Sequence, residues 1–285
     1  MRRLKSIGSP IPLAALMWLV LMLLVAVLAP WLPLHSPEEA TPRQAWSSPG
    51  EDHLFGTDAL GRDLFSRIIW GARISLACAA AGAVAALLFG VSWGLLAGGG
   101  NARRDDWMMR IVDLLDSVPL VFLVILLSSV ARGSSWEYAG GGLGLFFIIL
   151  GIVYWTPMAR VVRGETRSLA TREWALAATA LGTAPNRILW RQILPNLVPT
   201  ILVTVTLIIP RILLFEAFLS FLGLGVQAPI VSWGTLARDA FEVLNPVRTA
   251  WWMVAFPSLA LALTLLALNV VGDALRSDLD PKRQR

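Results

Sequence analysis

Long uncharged stretches alternate with short basic ones along this chain, and that alternation sets the first expectation. Residues 11–34 carry no charge, and neither do residues 74–98. An α-helix rises about 1.5 Å per residue, so roughly 20 apolar residues cross a bilayer. Six stretches meet that length: 11–33, 74–98, 111–131, 141–159, one that starts after Pro195 and runs to 222, and 250–271. The third holds Asp113 and Asp116 near one end, and the fifth holds Arg211 and Glu216. Uncharged runs this long argue against a soluble helical protein. The expected fold class is all-α, a polytopic membrane protein with six transmembrane helices. Residues 1–10 begin like a signal peptide, with Arg2, Arg3 and Lys5. The apolar run that follows exceeds the roughly 7–15 residues of a signal core, so 11–33 is read as a retained first span.

The connections differ in character. Residues 34–72 open with an irregular half rich in Pro, Ser and Glu, a turn-forming composition. In the second half Leu60, Leu64 and Ile68 recur at i, i+4 and i+8, with Phe65 and Ile69 beside them. Arg62, Asp63, Ser66 and Arg67 take the other face. This pattern predicts an external amphipathic helix along the membrane surface, serving either as a packing lid or as a contact surface.

Residues 160–196 hold six arginines and predict two helices meeting at a corner. Residues 171–181 are almost all good helix formers. Gly182 stands where a helix end favours positive φ. Pro185 suits the first position of a second helix capped by Thr183 or Ala184, and Pro195 is expected to end it. The small residues Ala177, Ala178 and Gly182 make one side of the corner flat. A flat corner suits docking into another protein's groove or packing on its own bundle.

Charge supplies direction. With the N-terminus inside, the cytoplasmic segments carry Arg2, Arg3 and Lys5; Arg103, Arg104 and Arg110; Arg160, Arg163, Arg167, Arg172, Arg187 and Arg191; and Arg276, Lys282, Arg283 and Arg285. These are sixteen of the 24 Lys and Arg, a positive-inside bias that places both termini in the cytoplasm. The organisation expected is a first helix, the external loop 34–72, a five-helix core over 73–272 and a cytoplasmic tail over 273–285. Within the core lie the cytoplasmic loop 160–196 and the external loop 223–249.

Composition removes several alternatives. Hydrophobic residues make up 56% of the chain and charged ones 15%, against about 25% charged in a soluble domain. The net charge of +5 comes from arginines in short loops, which speaks for a lipid surface and against nucleic acid. One cysteine, Cys78, and two histidines, His35 and His53, do not furnish a zinc site. A P-loop needs Gly-Lys-Ser/Thr, and neither Lys5 nor Lys282 follows glycine. No cofactor is expected on this chain, and no catalytic set is visible. Asp113, Asp116, Ser128, Ser129, Arg211 and Glu216 lie in or at spans, where polar groups face a pathway or a partner; for Asp113 and Asp116, expected near the cytoplasmic end, a structural role is the alternative.

Residues Glu173 to Asn196 (EWALAATALGTAPNRILWRQILPN) resemble the EAA loop of bacterial ABC importer permeases. Ala177-Ala178, Gly182, Ile188 and Leu194-Pro195 carry the pattern. Four other blocks look like the C-type permease of the dipeptide, oligopeptide and nickel group. They are Phe55–Asp63 with Gly71–Ser75; Ala159–Arg167; Glu216–Gly225 with Ser232-Trp233-Gly234; and Trp251–Pro281. Leu176 stands where the family usually has Glu, and Gln192 where it often has His.

The resemblance implies a non-catalytic permease subunit of an ATP-driven importer in the bacterial inner membrane. A second homologous permease, two ABC ATPases that bind ATP and Mg, and an external substrate-binding protein would complete it. It implies ATPase coupling through Glu173, Leu176, Ala177, Ala178, Leu181, Gly182, Thr183, Pro185, Arg187, Ile188, Arg191, Gln192, Leu194 and Pro195. The cargo it implies is a di- or oligopeptide; nickel chelates or another small solute remain open. A stand-alone secondary transporter would call for inverted repeats or broken helices, and no internal repeat is visible.

Overall fold

The structure is a computed structural model that describes residues 8–131, 143–242 and 250–279. Among the described residues the ordered elements are helical apart from one isolated bridge, Thr57 to Asp63. Helix α1 (Pro10–Leu28) follows Ser9 and starts with proline, whose fixed φ suits a first helical turn. It is apolar around its whole circumference and mostly exposed, as a lipid-facing helix must be.

Helix α2 (Leu64–Ala85), a π-turn (Ala86–Gly90) and α3 (Val91–Gly98) form one rod of 35 residues. Asp63 caps α2 by accepting from the Ser66 amide at 2.8 Å. The next helices are α4 (Ala102–Ser117), capped by Asn101, α5 (Leu120–Ala131) and α6 (Leu143–Ala170). Then follow α7 (Glu173–Ala180), α8 (Pro185–Ile188), a π-turn (Leu189–Ile193) and α9 (Leu194–Phe221). The last two are α10 (Trp233–Glu242) and α11 (Trp251–Leu279).

The α2–α3 rod, α6 and α9 pack on one another at the centre. Leu95, Leu150, Met158, Leu197 and Ile212 are enclosed between them. Helix α11 lies against α9 and α10, α1 against α11 and α2, and α4 and α5 against α6. Close approach of the rod to α6 depends on Gly90, Gly94 and Gly98. A Cβ on these would fall 2.6, 2.5 and 2.6 Å from the carbonyl oxygens of Trp155, Ala159 and Arg163. Only glycine permits that backbone contact.

Among the described residues, which stop at 131 before resuming at 143, five helices are long and apolar enough to cross a membrane, where six are expected. The expected span 111–131 is broken: α4 stops at Ser117, and Val118 is extended at φ −82°, ψ 125°. Pro119 causes this, since its ring disfavours helix at the residue before it. The segment 60–69 is not a separate surface helix. Residues from Leu64 onward are the first turns of the α2–α3 rod, and Asp63, Ser66 and Arg67 are as buried as the apolar face. Residues 160–170 belong to α6 rather than to a loop. Pro195 does not stop its helix. The preceding π-turn bonds five residues back instead of four, and that wider turn accommodates the proline ring. Helix α11 continues through Leu279, past the boundary expected at 272. Part of the loop 223–249, residues 243–249, lies outside the described residues.

Candidate functional site: a projecting corner and a buried polar knot

At one end of the bundle α7 and α8 form the corner. Ala175 and Ile188 are buried beneath it, and Ala178 packs on the main core. Helix α7 ends in a Schellman motif: the Thr183 amide donates to Ala178 O at 3.1 Å and the Gly182 amide to Thr179 O at 2.9 Å. Gly182 has φ +77°, the left-handed conformation this motif requires. A Cβ there would meet nothing within 4 Å, so the tip is open. Ala184 precedes Pro185, the first residue of α8.

The tip is apolar, and nothing among the described residues covers it. Leu181 is 86% exposed and Leu176 57%, with Ala177 and Pro185 also exposed. Glu173, Arg187 and Arg191 are exposed around it, Thr183, Gln192 and Leu194 are half-buried, and Pro195 is exposed. The corner is footed on the bundle through Leu189, whose side chain occupies the space a Cβ of Gly99 would need.

Beside the corner, α4 and α6 are joined by ion pairs in antiparallel order. Arg160 donates to Asp113 Oδ1 at 2.8 Å and to Asp116 Oδ2 at 2.7 Å, and Thr156 donates to Asp116 Oδ1 at 2.7 Å. Further along, Arg163 and Arg167 donate to Asp105 Oδ2 at 2.7 and 2.9 Å. Asp105 is buried, and its hydrogen bonds from Arg163, with the nearby positive charges, hold its carboxyl below the usual range against the opposing effect of burial. Asp113 and Asp116 thus serve a helix–helix clamp. Sequence reasoning missed Asp105 and the pairing role of Arg160, Arg163 and Arg167. Their i, i+3, i+7 spacing was the available signal.

At the far end of the α2–α3 rod, about 52 Å away along its axis, lies a buried polar knot. Gly56 and Gly61, at φ +75° and +74°, close a loop around Asp58. Asp58 accepts from the amides of Leu60 and Arg62 at 2.8 and 2.9 Å, from Arg62 Nε at 2.6 Å and from Arg67 Nη1 at 2.6 Å. Arg67, 3% exposed, also donates to Asp239 of α10 at 3.0 Å. Trp252 Nε1 donates to Thr57 O at 3.1 Å, tying α11 to the loop.

Deeper, Ser75 and Ser220 donate to the two oxygens of Glu216, each at 2.8 Å. The Trp233 amide donates to Ser75 Oγ at 3.2 Å and its indole to Ile68 O at 3.1 Å. The motif blocks 55–63, 71–75, 216–225 and 232–234 therefore converge, although they lie up to 179 positions apart in the chain. Glu216 is wholly buried within the chain. Its serine donors compensate a carboxyl that the apolar core alone would not tolerate. Arg211, by contrast, is exposed. Ser129 is exposed on α5; the side chain of Ser128 lies outside the described residues.

Known proteins resemble this arrangement. Residues 90–285 match the family described as the inner membrane component of binding-protein-dependent transport systems. The oligopeptide transport system permease protein OppC of Bacillus subtilis (strain 168) is 42% identical over 284 residues, covering 99% of this chain and 89% of that protein. The dipeptide transport system permease protein DppC of the same organism is 39% identical, covering 100% and 85%. OppC of Escherichia coli (strain K12) is 39% identical over 271 residues, covering 94% and 86%. Among solved structures, the inward-facing MetNI methionine ABC transporter has a chain matching with a TM-score of 0.61 at 16% identity. The match covers 75% of this chain and 96% of that one, a likeness of fold.

Proposed function

This chain belongs to the inner membrane components of binding-protein-dependent transport systems, the permeases of ABC importers, and we propose that it forms half of a translocation pathway for di- or oligopeptides. The second half is a homologous permease. Two ATPase subunits bind ATP and Mg and seat the corner around Gly182, while an external binding protein delivers cargo at the end that bears the polar knot. This places the corner, the arginines beside it and both termini in the cytoplasm, in keeping with the distribution of Lys and Arg. The chain itself is not catalytic: it receives work and does not hydrolyse ATP.

The observation that carries this reading is the corner. Its apolar tip projects with no partner among the described residues, yet its foot is packed on the α3 terminus through Leu189 and Gly99. ATP binds the closed ATPase dimer more tightly than the open one, and a docked, rigid corner passes that bias to the bundle. Gly182→Asp tests it. A charge at the tip should reduce peptide uptake by the reconstituted complex to background and uncouple ATP hydrolysis from cargo, with the subunit still inserted. Normal uptake by this variant would remove the coupling role.

A further inference from the structure

Arg211 stands ten residues before the end of α9 at Phe221, about 15 Å along the axis, or half of a hydrocarbon core of about 30 Å. Among the described residues, no carboxylate pairs with its guanidinium. A bare guanidinium facing lipid at that depth is costly, so it faces water or an anion supplied from outside the chain. Its surroundings are ordered. Tyr154 of α6 donates to the Arg211 carbonyl at 3.0 Å, and the tyrosine ring packs edge-on to Phe215. The turn bearing Arg211 is thereby pinned to the seam between α6 and α9.

The helical repeat puts Thr200, Thr204, Leu207, Leu214 and Phe218 on the same face as Arg211, all exposed or half-buried. Val205, Ile208, Ile212 and Leu219, on the neighbouring face, are in the core. Thr204 gives its hydroxyl proton to Thr200 O at 2.7 Å, which leaves the oxygen lone pairs to accept. The stripe thus offers a planar cation, hydroxyl acceptors and apolar surface in one line.

We propose that Arg211 binds the carboxylate of a peptide in transit, either its free C-terminus or an acidic side chain, as a forked pair. This rests on the pathway reading given under Proposed function. Arg is suited to the task because its donors match both carboxylate oxygens at once. A carboxylate fixed on the second permease would instead lock an ion pair into a seam that must open in each cycle. A cargo carboxylate arrives and leaves.

The test uses the complete reconstituted importer and one tripeptide without acidic side chains, supplied as the free acid and as the C-terminal amide. Uptake of each is normalised to its occupancy of the binding protein. Arg211→Ala should lower the acid-to-amide uptake ratio about tenfold or more, the size expected for losing a charge-assisted hydrogen bond, and Arg211→Lys should restore part of it. An unchanged ratio overturns the proposal. So does an equal loss of both peptides with a weakened association of the two permeases, which would assign Arg211 to the partner.

A second measurement labels Arg211→Cys, in a Cys78→Ser background, with a membrane-impermeant anionic thiol reagent. Labelling is expected, and an unreactive thiol overturns the proposal. If the unmodified importer takes up neither peptide but moves another solute, the peptide reading fails, whereas the labelling still decides whether residue 211 faces water.

Discussion

Asp58 shows how one residue can organise a fold at a distance. It receives four hydrogen bonds, two of them from guanidinium groups, in a site closed to solvent. Asp58→Ala would leave Arg67 buried with only Asp239 as counter-charge. Breaking a buried pair in this way costs about 3–5 kcal/mol, so the purified variant should unfold at a clearly lower temperature. An unchanged transition would mean that the knot adds no stability.

Asp105 gives a pH expectation. Its folded-state pKa is depressed, chiefly by the hydrogen bonds from Arg163. A depressed carboxyl stabilises the fold above its unfolded value of about 3.9, and that contribution disappears as pH falls through the lower folded value. The clamp between α4 and α6 should therefore be constant from roughly pH 5 to 8 and loosen only under stronger acid. Spin labels on the two helices should report separation there and nowhere higher, and Asp105→Asn should separate them at neutral pH.

Between elements, the rod and α6 illustrate what spacing can and cannot disclose. Glycine every fourth residue at 90, 94 and 98 is a visible close-packing signal. It identifies a face but not the helix that meets it. Gly94→Leu would drive a side chain into Ala159 O and Val162, at a cost of a few kcal/mol as overpacking. A lower thermal midpoint is the expected result, and a normally stable variant would deny the contact. The break at Pro119 was equally legible and equally easy to pass over, because hydropathy averaged across 111–131 does not register a lost backbone donor. Pro195 errs the other way: a proline that looks terminal is carried by a π-turn, and no local residue preference announces that turn.

On the scale of the whole molecule, a 35-residue rod connects the polar knot to the foot of the corner. If the ATPases seat the corner as proposed, force applied there would reach α6 along a glycine-lined contact. Leu181→Asp should preserve folding, since Leu181 is almost fully exposed, but weaken the seating of the ATPases. Co-purification of the ATPases with the variant should fall several-fold, and wild-type recovery would show that the tip is not the contact.

The sequence by itself determined the class of solvent, the apolar helices, the corner with its turn at Gly182 and the absence of a phosphate-binding loop. Each of these is written in neighbouring residues through length, periodicity or a required backbone conformation. Only the tertiary structure decided that the surface-helix pattern of 60–69 opens a spanning rod, that Glu216 is sealed by serines while Arg211 is open, and that Asp113 and Asp116 clamp α6. Those outcomes depend on which faces meet. A charge that looks costly in one dimension is settled by a partner up to 172 residues away, as between Arg67 and Asp239, and local pattern does not encode that pairing.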